Sequence, residues 1–236
     1  MSTIDEPRTK TLPPLIAGQR LDQPTFHERY EAMPPETRAE LVGGTVYMPS
    51  PLGYDHGDTD KAVSYCLGHY MRFTRGVRSP NNATVKLDRA GEVQPDTQLR
   101  IPAALGGQTT IDEGGYIRGA PELIVEIARS SRAFDLGAKK ADYERAGVRE
   151  YVVVELDPDQ IHWFIRRDDR FKDLPPGPDG VYRSEIFPGL WLDPAALYSE
   201  NLDRLIEVLE QGLATPAHAA FLARLEKARH GASGST

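Results

Sequence analysis

A glutamate in the middle of an apolar strand most narrows what this chain can fold into. Residues 122–128 read Glu-Leu-Ile-Val-Glu-Ile-Ala, a short run with the length and aliphatic content of a buried strand. Alternation sends Leu123, Val125 and Ile127 to one face, and Ile124, Glu126 and Ala128 to the other. A carboxylate ionised on a doubly covered strand costs several kcal/mol unless a cation or hydrogen-bond donors compensate it. Glu126 therefore either reaches the strand's exposed end or an arginine, or it belongs to a buried site. The rest of the chain bears on that choice.

With 236 residues the chain can bury one sizeable domain, with or without extensions, and its 19 Pro and 21 Gly imply long loops. No apolar run nears the ~20 residues that cross a bilayer, and the first residues lack the apolar core of a signal peptide. The single cysteine, Cys66, excludes an intrachain disulfide and a Cys-based zinc site, and fits a cytoplasmic protein. A net charge of −7 argues against a broad non-specific nucleic-acid surface, while leaving room for a local basic cleft or a metal.

In order, residues 1–23 read as a loose N-terminal arm, with Leu12, Leu15 and Ile16 as docking points. A helix over Thr25–Met33 follows, with Thr25 as N-cap and Glu28 completing a capping box. Glu40-Leu41 lead a strand that turns at Gly43-Gly44 and returns over Thr45–Met48. Asp55–Phe73 reads as an amphipathic helix with His56 near its start, where a histidine is either simply solvated or faces a cleft. Ala83–Leu87 and Val93–Ile101 read as strands, with Pro95-Asp96 near the start of the second, and Pro102–Ala120 as a long glycine-rich loop. After the central strand, a helix runs from Ser130-Ser131 to Ala146 and stops at Gly147. Tyr151–Leu156 and Gln160–Arg166 form a hairpin, Lys172–Gly180 a loop, and Tyr182–Phe187 a further strand. Two helices follow, the second over Pro216–Arg229. The expected organisation is an arm over 1–23, a main domain over 24–198, a helical extension over 199–229 and a disordered tail over 230–236.

Asp96 and Glu126 would project from adjacent strands. Two carboxylates and a main-chain carbonyl, that of Ile127, are the oxygen donors that Mg²⁺ or Mn²⁺ takes, leaving positions for water and phosphate. Such a site calls for a cation that steadies developing charge. Asp135, Lys139 and Tyr143 recur at i, i+4 and i+8 and share a helical face. That face is either an ordinary surface ladder or the source of the missing cation, Lys139. Lys140, about 100° around the helix, is expected in solvent with Glu144.

Pro95-Asp96, the segment Pro121–Ile127, Ser130-Ser131, Asp135, Lys139, Tyr143 and Gly147-Val148-Arg149-Glu150-Tyr151 together resemble the Uma-two family, of the restriction-endonuclease-like PD-(D/E)xK superfamily. Glu40–Gly44, Met48–Pro51 and His56 are similar to its N-terminal signature. The resemblance implies an α/β (α+β) fold with a mixed sheet flanked by helices, a Mg²⁺ (or Mn²⁺) site and phosphodiester hydrolysis in nucleic acid, with DNA the expected substrate. It makes Asp96 and Glu126 the catalytic acids and metal ligands, with Glu40 as supporting acid. His56 and Tyr143 then touch substrate or orient these groups. The superfamily's lysine position, two residues past the second acid, is Ala128 here, and the resemblance moves the lysine to Lys139. The alternative is a catalytically silent binding or regulatory module that keeps the fold. A homodimer is a further expectation, with Trp163, Phe164 and Phe187 as interface candidates or plain core.

Overall fold

The computed structural model describes residues 12–51 and 53–233. The expected arm and tail are thus described only from residue 12 and up to residue 233. Helix α1 (Gln23–Glu31) begins before Thr25, because Asp22 is the N-cap: its carboxylate accepts from the Thr25 N–H at 3.0 Å. Ahead of it, Leu15 is buried and Ile16 is exposed. Strands β1 (Glu40–Val42) and β2 (Thr45–Tyr47) flank Gly43-Gly44, whose φ values of 57° and 75° suit a two-residue hairpin loop. Helix α2 (Tyr54–Phe73) buries Val63, Leu67 and Tyr70.

Strands β3 (Val85–Asp88) and β4 (Gly91–Val93) form a hairpin. The single strand expected over Val93–Ile101 is broken: β5 is only Thr97–Leu99, and it lies in a different sheet from β4. Pro95 has no N–H for a ladder, so Gln94-Pro95-Asp96 becomes the crossing between two sheets. The Asn82 N–H fixes that crossing, reaching the carbonyls of Pro95 and Asp96 at 3.1 and 3.2 Å. The glycine-rich loop contains a small hairpin, β6 (Thr110–Ile111) with β7 (Ile117–Arg118).

The central strand is β8 (Leu123–Ala128), buried at every position. Beyond it come α3 (Arg132–Phe134), a π-helical turn (Asp135–Lys139) and α4 (Lys140–Ala146), closed by Gly147 at φ 93°. Strands β9 (Glu150–Leu156) and β10 (Asp159–Arg167) pair, and β11 (Arg170–Asp173) adds a strand where a loop was expected from Lys172. The strand expected over Tyr182–Phe187 shrinks to β12 (Tyr182–Arg183), which pairs with β13 (Trp191–Leu192). Helices α5 (Pro194–Tyr198), α6 (Leu202–Leu213) and α7 (Pro216–Ser233) complete the described chain, the last running past Arg229.

The first large sheet has the order β2-β1-β4-β3-β7-β6, and the second β11-β10-β9-β8-β5. The second is mixed: β8 runs parallel to β9 and antiparallel to β5. Its two faces feed different cores. Leu123, Val125 and Ile127 pack with Val63 and Tyr70 of α2 and Leu205 and Leu209 of α6. Ile124 and Ala128 pack with Tyr143 and with Val85 and Val93 of the first sheet. Each fully buried aliphatic side chain contributes about 2 kcal/mol to holding these layers. The architecture is the expected mixed α/β one, a mixed sheet flanked by helices. Trp163, Phe164 and Phe187 are 3%, 5% and 0% exposed, so they are core of this chain and cannot form a dimer surface. Among the described residues, no helix is long and apolar enough to cross a membrane.

Candidate active site

Glu126 sits on the β8 face that looks toward the first sheet, 4% exposed, at the floor of a cleft of about 390 Å³. Its compensation comes from the helix after the strand. The Lys139 ammonium donates to Glu126 Oε1 at 2.9 Å, and the Tyr143 hydroxyl donates to the same oxygen at 2.6 Å. Lys139 also reaches Glu40 Oε2 at 2.9 Å, while Glu40 Oε1 accepts from the Gln94 N–H at 2.7 Å. One ammonium thus joins an acid of each sheet.

The π-helical turn is part of this placement. It widens the helix at Asp135–Lys139, and both residues that bound it are buried facing the cleft. Lys140 falls on the next face, but not in solvent: its ammonium lies 3.4 Å from the centre of the Phe164 ring. Glu144 is also tied down, accepting from Arg170 and from the Phe171 N–H. Apolar surface from β10 and β11 reaches under this face, and the sequence pattern gives no sign of it.

The sheet crossing supplies Asp96. Its Oδ2 accepts from the Ile127 N–H at 2.7 Å and lies 3.3 Å from His56 Nε2. That backbone bond locks the Asp96 carboxylate to the strand bearing Glu126. Asp96, Glu126, Lys139, Glu40, His56 and Ile127 all line the cleft, and Tyr143 supports it from beneath. Asp135, Arg38 and Arg129 line it too. The sequence places Asp135 on the face shared with Lys139 and Tyr143 and among the residues of the family resemblance, without marking it as part of the site, and the two arginines carry no signal.

Acid outweighs base here. Burial pushes the Glu126 carboxyl well above the ordinary range, and Asp96, Asp135 and Glu40 add to this against the opposing Lys139 charge. Burial also raises Asp135, again opposed by Lys139. For Lys139 burial acts the other way, but the charges of Glu126, Glu40 and Asp135 outweigh it and hold the ammonium protonated. Burial and the nearby carboxylates raise the Tyr143 phenol well above its usual value, so it stays a donor. Burial would lower the His56 imidazole, yet the hydrogen bond and charge of Asp96 leave it raised. Among the described residues, four carboxylates, those of Glu40, Asp96, Glu126 and Asp135, thus share the cleft with Lys139, Arg38, Arg129 and His56.

A family described as "Putative restriction endonuclease", Uma2, matches residues 25–195. A search of curated proteins found no match. Among solved structures, the fold resembles a protein from Anabaena variabilis described as a putative nuclease belonging to DUF820. The two share 16% identity over 73% of this chain and 96% of that one, with a TM-score of 0.56. At that identity the likeness speaks for the fold, and the family match spans most of the main domain. The chain belongs to the Uma2 family.

Proposed function

We propose that this protein is a divalent-metal-dependent nuclease that hydrolyses phosphodiester bonds, with DNA as its substrate. The observation that carries the reading is Lys139, a buried ammonium held between Glu126 and Glu40 on the floor of an acid-rich cleft. Family membership supports the same reaction class.

The donor set fits a hard cation. Asp96, Glu126 and the Ile127 carbonyl offer oxygen, and Lys139 and Tyr143 both take Glu126 Oε1, so neither takes its Oε2. Among the described residues, no group of three or more His, Cys, Asp or Glu side chains converges to hold an ion. The protein would therefore give Mg²⁺ or Mn²⁺ two carboxylates and a carbonyl, leaving water and phosphate oxygens to complete the shell. The chemistry such an ion supplies is neutralisation of charge on the scissile phosphate.

The chain's own residues do the positioning. Lys139 and Tyr143 stop the Glu126 carboxylate from turning, and the Ile127 N–H does the same for Asp96. The Lys139 ammonium orients the attacking water or steadies negative charge gathering on the phosphate. His56, beside Asp96, is placed to touch substrate or to hold that acid in line. Cleaving both strands of a duplex calls for two sites, and a homodimer serving that purpose would need a surface other than Trp163, Phe164 and Phe187.

The double tie of Lys139 also favours a second reading, a silent module in which the lysine only rivets the two sheets together. Calorimetric titration with Mn²⁺, run beside plasmid cleavage in Mg²⁺, separates the two. A nuclease shows saturable binding and nicking, both lost in Glu126→Gln. No binding, or binding indifferent to that substitution, establishes the silent module.

A further inference from the structure

Away from the cleft, α2 faces the end of α5 and the β9–β10 turn along one stretch and the start of α6 along the next, and a groove runs between them. Two hollows of about 610 and 370 Å³ run along it and share Tyr65 and Leu202. Its walls are unusual for a solvent face. Tyr54, Tyr65 and Leu202 are 83%, 52% and 44% exposed, and they are three of the large apolar side chains this protein leaves in water. Exposed apolar side chains gathered along one groove mark contact surfaces more often than scattered ones do.

The rim is acidic. Among the described residues, Asp58, Asp159, Glu200 and Asp203 line the groove and pair with no cation, and Glu207 and Glu210 extend the charge along α6. Lys61 is the only basic residue lining either hollow among the described residues. Charge of this sign repels nucleic acid and anionic membrane. It also repels a second copy meeting the same face isologously, since acid would oppose acid. From Tyr54 to Tyr65 the α2 axis advances about 16 Å, room for three turns of helix laid alongside.

We propose that the α2/α6 groove is a docking site for a basic amphipathic helix of a partner protein. Apolar side chains of that helix would seat against Tyr65 and Leu202, while its Lys and Arg residues meet Asp58, Asp203 and Glu207. The groove also adjoins the cleft. Asp55, on its wall, is ion-paired with Arg129, which lines the cleft. A helix that draws Asp55 away would free the Arg129 guanidinium toward the cleft.

The test uses a synthetic Leu/Lys amphipathic helix of about 14 residues, long enough for the groove, and its Leu/Glu counterpart, each titrated into the full-length protein by fluorescence anisotropy. The expected result is saturable binding of the Lys helix alone. Asp203→Lys and Tyr65→Ala, both surface changes, should each weaken it at least about tenfold, and backbone amide shifts should move on α2 and α6. Absence of binding, equal binding of both helices, indifference to the two variants, or shifts elsewhere would each overturn the assignment. So would a concentration-dependent dimer in light scattering that Tyr65→Ala abolishes, which would give the groove to a second copy.

Discussion

Lys139 and Tyr143 donate to one and the same oxygen, Glu126 Oε1, from 2.9 and 2.6 Å. Two donors on one oxygen fix the plane of the carboxylate and leave its partner oxygen directed elsewhere. The two differ in character, one a charge and the other a neutral dipole, and substitutions should separate them.

Replacing Lys139 by alanine removes the charge that compensates Glu126 and Glu40. Turnover should fall at least about tenfold, equivalent to ~1.4 kcal/mol in the barrier. Stability should fall by about 3 kcal/mol, because two buried acids lose their counterion. Lys140→Ala should leave turnover alone and cost about 1 kcal/mol, the worth of its stacking on Phe164. Urea denaturation beside plasmid cleavage reads both quantities, and equal activity losses at the two lysines would remove Lys139 from the site.

Tyr143→Phe keeps the ring in its packing against Tyr151 and deletes only the hydroxyl. A buried hydrogen bond to a charged group is worth about 2 kcal/mol, and that loss should appear in denaturation. Cleavage should drop severalfold with KM unchanged, since the substitution loosens the Glu126 carboxylate and touches no substrate contact. A change in KM alone would contradict this.

Glu150 predicts a pH effect remote from the cleft. Its carboxylate accepts from the Ser184 hydroxyl and from the Glu185 and Ile186 N–H groups, stapling β9 to that loop. Burial nonetheless pushes it up to about 7, against an ordinary value of 4.5. Between those values the unfolded chain has released a proton that the folded one retains. The stabilisation is full below the lower value and disappears as pH rises through the upper one, a change of about 3 kcal/mol. Denaturation of wild type and Glu150→Gln at about pH 4.5 and about pH 8 should show the substitution flattening this slope. Parallel slopes would mean that Glu150 titrates normally.

Arg29 holds the start of the described chain. Its guanidinium donates to the carbonyls of Pro13 and Pro14 at 2.8 and 2.5 Å and to the Gln19 side chain at 2.9 Å. Arg29→Ala should release this segment, and limited trypsin digestion should then cut after Arg20 well before the sheets are attacked. Unchanged digestion would mean that Leu15, buried beside Phe26, suffices to hold it.

The alternation of β8 was readable from the sequence, because a strand covered on both sides leaves its glutamate conspicuous. So was the shared face of Asp135, Lys139 and Tyr143, since three polar residues at helical spacing are hard to hide. The partnership of Lys139 with Glu40 was not, because nothing local links a hairpin strand to a helix so far along the chain. Pro95 reads as a strand start, whereas its missing N–H marks the crossing between two sheets. Thr25 reads as the cap of α1, yet Asp22 takes that role, two residues before Pro24 and three before the N–H it receives. Strand β11, Arg-Phe-Lys-Asp, has too little apolar content to stand out from the loop around it.

The π-helical turn gives the helix after β8 one residue more than an α-helix of the same phase would hold, and the wider winding absorbs it locally. Lys139 closes that turn and Tyr143 follows one α-helical turn later, both donating to Glu126. Composition there is negotiable: Gly137, in the middle of the turn, has open space around it. Length is negotiable by that one residue as well, since deleting it would leave an ordinary α-helical turn with its flanks in phase. A deletion in α4, where nothing absorbs it, would swing everything downstream by about 100°. Across related chains, a one-residue gap should fall in the π-helical turn and not between Lys140 and Ala146.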